Sequence, residues 1–520
     1  MEIRDTLQLR SFAEYKEAYQ ESVTNPEAFW DKVADKFYWH KKWDKTLNWD
    51  FSKPEIKWFE GGKLNITENC LDRHLEKLGN KTAIIWEPND PDEESRHITY
   101  RQLFVKVCHF ANVFMNNGIK KGDRVCLYMP MIPELAIAML ACARIGAVHS
   151  IVFAGFSSTA IASRINDSQC KMLITANEVY RGAKPVKLKE MCDEALKQTP
   201  SIETVFVYRR TVEPTPMQEG RDKFWFDELQ KVSKECPAEV MDAEDMLFIL
   251  YTSGSTGKPK GMVHTTGGYM VYTAYTFANV FQCDHIAAPG NKAQGKSNGD
   301  VYWCTADIGW NTGHSYIIYG PLATGATTVM FEGVPRYPDY GRFWEICDKL
   351  NVTHFYTAPT AIRALAKQPI ALVNQHDLSS LKVLGSVGEP INEEAWHWYN
   401  DNIGKGNAPI VDTWWQTETG GIMISPLAGI TPTRPTFATL PLPGIQPALM
   451  DEEGNEIEFK SEKSEGRLAI KFPWPSMART IYGNHQRYKE VYFSTYENMY
   501  FTGDGAYRDA TGNFRITGRV

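Results

Sequence analysis

At 520 residues the chain is long enough for roughly three or four packing units. Its composition, 43% apolar and 23% charged, is that of a globular protein and excludes a disordered one. A formal net charge of −7 argues against nucleic acid and anionic membrane as main partners, since both call for clustered surplus Lys and Arg.

The N-terminus, MEIRDTLQLRSFAEYKEAYQ, mixes both charge signs and has no apolar stretch, so no targeting signal is read there. The first 60 residues are rich in Trp and Lys, with helical patterning over 26–38, and read as an arm packed on a larger body. A run of βαβ units follows. Residues 124–128 read as a buried strand, 132–145 as a helix and 148–153 as the next strand. Helix 157–166, strand 172–175, helix 186–197 and strand 204–208 continue the alternation. The apolar stretch 125–156 is broken by Pro130, Pro133, Glu134, Arg144 and His149, so it is no membrane span.

A second series opens with strand 246–251, a Gly- and hydroxyl-rich loop at 252–261 and a helix at 265–280. Strands near 327–331, 353–356, 381–385 and 409–414 alternate with helices near 359–367 and 392–403. From about residue 440 come short strands such as 466–472, closing with a hairpin whose turn is 509–513. The expected fold is α/β: two doubly wound βαβ subdomains, 61–245 and 246–438, plus a smaller β-barrel-like subdomain at 439–520. Ten cysteines stand singly with no CxxC pair, the usage of reduced thiols in the cytoplasm, without a disulfide framework or zinc site.

The sharpest signal is YTSGSTGKPKG at 251–261. Small residues let backbone N–H groups approach a polyphosphate, while hydroxyls and two lysines supply donors and positive charge. It is not a Walker A loop: Pro259 follows Lys258 where Ser or Thr should stand, and Thr252 occupies the place of the first Gly. A P-loop phosphotransferase is thereby set aside. The plain alternative is a flexible Gly/Ser surface loop.

YTSGSTGKPKG resembles the phosphate-binding signature of the adenylate-forming superfamily. The segments 58–75, 262–272, 300–322, FEGVP (331–335), LGSVGEPINEEAW (384–396) and VDTWWQTETGG (411–421) are similar to those of AMP-forming acetyl-CoA synthetases. The resemblance spans nearly the whole chain, with 1–60 as the family's N-terminal arm. It implies a ligase that joins ATP and a short carboxylate, acetate foremost, into acyl-AMP and pyrophosphate, then passes the acyl group to coenzyme A. ATP, Mg2+ and CoA are the small molecules it implies, with no nucleic acid, no membrane and no assigned oligomeric state.

Carried over residue by residue, the resemblance puts Thr252, Ser253, Ser255, Thr256 and Lys258 around the β- and γ-phosphates. Gly388, Glu389 and Pro390 would line the adenine, and Asp412, Thr413, Trp414, Trp415, Gln416 and Thr417 would continue that wall. Glu418 would hold ATP-bound magnesium, because a carboxylate beside a triphosphate makes sense only with a metal between them. Asp504 would accept the ribose hydroxyls and Arg519 would reach the same sugar, although an Asp after Gly in a β-rich region also reads as a turn residue.

For CoA the resemblance points to Arg181, Gly182, Ala183 and Lys184, with Thr312 and Arg336, the last standing where the family has Asn. The acyl pocket would be Asn311, Thr312, Val387 and Trp415, the indole closing its end, unless both tryptophans are ordinary core. Asn311 departs from the family's Val. A buried amide without a partner costs about 1–3 kcal/mol, so either the acid is slightly polar or the Asn turns to the backbone.

The family's catalytic lysine belongs to a small C-terminal domain that would begin just after ITGRV, where this sequence ends. No catalytic residue is therefore assigned here, and the chain is expected to be poorly active alone. Propionate or another short acid, or a non-catalytic nucleotide-binding fragment, are the alternative readings. The stretch 282–300 is expected to be a dispensable surface insertion.

Overall fold

The computed structural model describes residues 2–254, 257–284, 299–460 and 462–520. Ser255, Thr256 and residues 285–298, most of the expected insertion, lie outside them. On either side of 285–298, the backbone N–H of Asp300 donates to Asp284 Oδ1 at 2.9 Å and that of Asp284 to Asp300 Oδ2 at 2.5 Å.

Two large sheets carry the chain. The first has eight strands in the order Asp222–Phe224, Thr204–Tyr208, Met172–Ala176, Arg124–Tyr128, Val148–Ile151, Met246–Thr252, Lys260–Thr265 and Thr480–Ile481. Its first six strands run parallel, and the last two pairings are antiparallel. The second runs Ile410–Asp412, Val383–Ser386, His354–Thr357, Val301–Cys304, Thr327–Phe331, Thr82–Glu87 and Arg96–Thr99. It is parallel except for the pairing of its last two strands.

Local signals place the elements. Helix Pro133–Ile145 begins with Pro at its first turn and ends at Gly146, whose φ of 77° is the left-handed cap glycine accepts without strain. This helix and Thr266–Phe281 are buried along every residue. Helices buried on every face belong in an interior, where Glu134 is paired with Arg96 and Arg144 with Asp72. One contiguous core takes Leu127 and Phe248 from the first sheet, Tyr302 and Tyr356 from the second, and side chains of both helices.

The sheets do not divide at residue 245/246. Strands Met246–Thr252 and Lys260–Thr265 join the first sheet, while Thr82–Glu87 and Arg96–Thr99 cross to the second. The reason is burial. Thr82–Glu87 (TAIIWE) is covered on both faces, as a strand between Thr327–Phe331 and Arg96–Thr99 must be.

The β-rich end forms a four-stranded antiparallel sheet, Pro447–Met450, Ser464–Ile470, Tyr500–Arg508 and Phe514–Arg519, whose edge strands do not pair with one another. The N-terminal segment, with helices Phe12–Thr24 and Pro26–Ala34, is tied to the body. Tyr15 and Tyr19 donate to the carbonyls of Pro441 (2.6 Å) and Ile445 (2.8 Å). Trp30, fully buried, packs against Trp58, Tyr272 and Tyr275. Among the described residues no helix is long and apolar enough to cross a membrane.

Candidate active site

A cavity of about 870 Å³ opens where the first sheet, the second sheet and the β-rich end meet. From the first sheet come Thr252 and Ser253, at the end of strand Met246–Thr252, and Lys260, which starts the antiparallel partner strand. The register sets Lys260 opposite Thr252. From the second come Gly388, Glu389 and Pro390, just past strand Val383–Ser386, and the run Asp412 to Glu418 that leaves strand Ile410–Asp412. Parallel sheets present ligand sites at such carboxyl ends. Gly388 has φ of +103°, a conformation that only glycine holds without strain.

The β-rich end contributes Asp504 and Arg519. Asp504 Oδ2 accepts from Trp414 Nε1 at 3.0 Å and Gln416 Nε2 at 2.9 Å, and Arg519 Nε lies 3.5 Å from Oδ1. Gln416 is itself held by Tyr500, whose hydroxyl donates to its Oε1 at 2.8 Å. Burial raises the Asp504 pKa, with Arg519 and the two donors opposing. The carboxylate is thus a fixed acceptor on the cavity wall rather than a solvated turn residue.

Glu418 faces the same cavity, its Oε1 accepting from the Tyr492 hydroxyl at 2.6 Å. Lys260 is mostly buried, its ammonium 5.0 Å from the centre of the Tyr492 ring. Burial holds its pKa below the usual lysine range, with the charge of Glu418 opposing. Lys258 does not line the cavity: its side chain is exposed, with Nζ 4.0 Å from Asp167 Oδ1. Of the loop's two lysines, the one on the wall is therefore Lys260, which loop composition alone could not separate from Lys258. The strand pairing does, because it sets Lys260 opposite Thr252 at the head of the buried run KGMVHT.

Trp415 lines the cavity and stands edge-on to Tyr316, ring centres 5.0 Å apart. Tyr316 is pinned behind it, accepting from the Ile422 N–H at 2.7 Å and sharing a 2.8 Å hydrogen bond with Thr276. Val387 and Asn311 are buried nearby in the chain fold, but neither they nor Thr312 are on the cavity wall. Asn311 turns to the backbone: its Nδ2 donates to the Thr417 carbonyl at 2.9 Å, and its Oδ1 accepts from Ser315 at 3.3 Å. Of the two explanations for this departure from Val, the backbone contact is the one found.

Arg181, Gly182, Ala183 and Lys184 form the tip of a small hairpin, Val179–Arg181 paired with Lys184–Val186. Gly182 lies against Val334 and Tyr337, which brings the exposed Arg336 to the same surface. The Arg181 guanidinium sits 5.2 Å from the centre of the Phe153 ring. Phe153 in turn packs against Trp310, a residue of the large cavity's wall.

Asp412 is buried with no charged partner among the described residues, and desolvation pushes its pKa up to about 7. Between the ordinary aspartate range and that value, the folded state holds a proton that the unfolded state has released. The contribution to stability is therefore present at low pH and lost as pH rises through about 7. Denaturant melts should show the native protein losing about 1–3 kcal/mol between pH 5 and 7 relative to Asp412→Asn. Parallel pH profiles would show that Asp412 titrates normally.

The family profile of AMP-binding enzymes matches residues 71–482. The profile for the acetyl-coenzyme A synthetase N-terminus matches residues 15–70. Acetyl-coenzyme A synthetase of Syntrophobacter fumaroxidans is 56% identical over 507 residues, covering 97% of this chain and 75% of that protein. That of Desulfatibacillum aliphaticivorans is 55% identical over 509 residues, 98% of this chain and 76% of its own. Acetyl-coenzyme A synthetase 2 of Pseudomonas aeruginosa is 54% identical over 508 residues, with the same coverage. The chain belongs to the acetyl-coenzyme A synthetase family of AMP-binding enzymes. It spans about three quarters of the length of these relatives.

Proposed function

We propose that this protein is an AMP-forming acetate–CoA ligase: it activates acetate with ATP to acetyl adenylate and pyrophosphate, and the acetyl group then passes to CoA. The observation that carries the reading is the single cavity onto which Thr252, Ser253, Lys260, the 412–418 run, Asp504 and Arg519 all converge. An in-line attack of a carboxylate oxygen on the α-phosphorus needs donors around a crowded phosphorus and a dry wall behind the acid. Lys260 and the loop after Thr252 supply positive charge and N–H groups. The Asp504–Arg519 pair fits a sugar diol, one acceptor and one donor held together. Trp415 forms the wall that limits the acid to two or three carbons.

A magnesium ion fits this donor set. Mg2+ is usually held by one or two carboxylates plus substrate phosphates. Glu418 is such a carboxylate, and among the described residues no cluster of three or more His, Cys, Asp or Glu could hold an ion alone. The ion would supply charge neutralisation on the triphosphate. CoA would meet Arg181, Lys184 and Arg336 beside the cavity. Ten cysteines, all buried and unpaired, support a reducing, cytoplasmic setting.

Calorimetric titration separates a ligase site from a bland nucleotide-binding fragment. Acetyl-adenylate analogue should bind more tightly than ATP, because it fills both the nucleotide and acid positions. Asp504→Ala should weaken both by about tenfold or more. No measurable affinity in a folded sample, or an indifferent Asp504→Ala, would overturn the assignment.

A further inference from the structure

The hairpin that carries Arg181 and Lys184 has only three residues in each strand, and its pair Arg181↔Lys184 closes a two-residue turn. Isolated hairpins of this size are marginal in water. Gly182, with φ of +63°, takes the first central position, which a type II′ turn reserves for glycine. Glycine there permits the turn but does not hold it still. The flanking side chains Tyr180, Arg181 and Lys184 are exposed, and Gly182 brings no side chain to its contact with Val334 and Tyr337, so packing alone holds the tip weakly.

One side chain does. Asn89 donates from Nδ2 to the Gly182 carbonyl at 3.0 Å and accepts the Gly182 N–H on Oδ1 at 2.9 Å. Both hydrogen bonds are buried, and Asn89 itself is 5% exposed. The amide therefore clamps both backbone polar groups of Gly182, one of the two residues between the cations. Its own anchorage is rigid. Asn89 follows strand Thr82–Glu87, and Glu87, fully buried, accepts from Arg342 at 3.0 Å and Lys349 at 2.8 Å. Arg342 also donates to the Pro88 carbonyl at 2.7 Å. The hairpin grows from the first sheet, whereas its clamp belongs to the second.

We propose that Asn89 is a positioning residue for coenzyme A: by pinning Gly182 it holds Arg181 and Lys184 where they meet the phosphates of the CoA nucleotide. The inference rests on the reading of Arg181 and Lys184 as phosphate contacts. Losing both hydrogen bonds frees the tip, and each cation must then be ordered at the moment of binding.

The test uses CoA and 3′-dephospho-CoA as probes in calorimetry, with ATP as the control ligand, and hydrogen exchange as the structural readout. Asn89→Ala should expose the Gly182 amide to exchange, raise the Kd for CoA roughly tenfold, and narrow the preference for CoA over dephospho-CoA, with ATP affinity unchanged. Asn89→Asp keeps the acceptor and loses the donor, so it should fall between, and it carries the test if the alanine variant does not fold. In an Arg181→Ala, Lys184→Ala background, Asn89→Ala should add little, since its effect runs through those cations. Unchanged CoA affinity in both Asn89 variants overturns the clamp and leaves the phosphate reading standing. An equal loss of ATP affinity makes Asn89 a general brace and also overturns it. CoA binding that is absent in the parent protein, or indifferent to the Arg181, Lys184 double variant, overturns the phosphate reading and the clamp together.

Discussion

Trp415→Gly is expected to shift the preference between acetyl- and butyryl-adenylate analogues by about a hundredfold towards the longer acid. The indole stands on the cavity wall with Tyr316 fixed behind it, so it cannot retreat to admit a longer chain. Each extra methylene that a packed wall refuses is worth about 1–3 kcal/mol of discrimination. Removing the wall replaces that repulsion with burial, roughly 0.8 kcal/mol per methylene, while the acetyl methyl comes to face a void. Competition binding with a series of alkyl adenylate analogues reads the shift without requiring turnover. An unchanged acetyl-to-butyryl ratio would make Trp415 ordinary core, and the acid position would have to lie elsewhere. Asn311→Val, by contrast, should leave the ratio nearly as it is, because Asn311 spends its amide on the Thr417 carbonyl.

The second large effect is expected at Glu418. Glu418→Gln keeps an oxygen to accept the Tyr492 hydroxyl, so the local fold should persist. It removes the charge through which a magnesium-bound triphosphate would be held. Affinity for ATP in excess magnesium should fall about a hundredfold, near 2.7 kcal/mol, and the parent and variant should converge when the ion is chelated. Equal affinities in magnesium would detach Glu418 from the metal. Lys260 has the opposite sign in the same cavity, so Lys260→Ala should weaken ATP with or without the ion.

The alternation from residue 124 to 208 was legible because each element there is short, apolar and bounded by its own signals. Strands Arg124–Tyr128 and Thr204–Tyr208 fall where periodicity places them, and helix Pro133–Ile145 carries Pro and Gly at its ends. Periodicity carries strand 148–153 two residues past the end of its ladder at Ile151, because Val152 and Phe153 continue the apolar run. The distribution of strands between sheets was not legible. Thr82–Glu87 pairs with Thr327–Phe331, and nothing local in TAIIWE names a partner so far along the chain.

The same division holds at the site. Residues grouped by one motif, 412–418 or 388–390, arrive together at the cavity because a strand end delivers them together. Side-chain direction within a loop is different. KPKG does not say which lysine faces inward until the pairing of Lys260 with Thr252 is known. The partner of Asn311 was hidden for the same reason, as Thr417 lies on a different element about a hundred residues away.

The strand exchange between the sheets has a consequence in time as well as in space. A ribosome adds about 5–20 residues per second, so the chain grows for on the order of ten to fifty seconds between releasing Thr82–Glu87 and releasing Thr327–Phe331. During that interval TAIIWE has its antiparallel neighbour Arg96–Thr99 on one edge and no parallel partner on the other. An apolar strand with an open edge is a template for pairing with another chain. Synthesis at high polysome density should therefore favour aggregation of nascent chains halted between these two strands over those halted after Phe331. The finished protein, with that edge covered, should carry no such tendency.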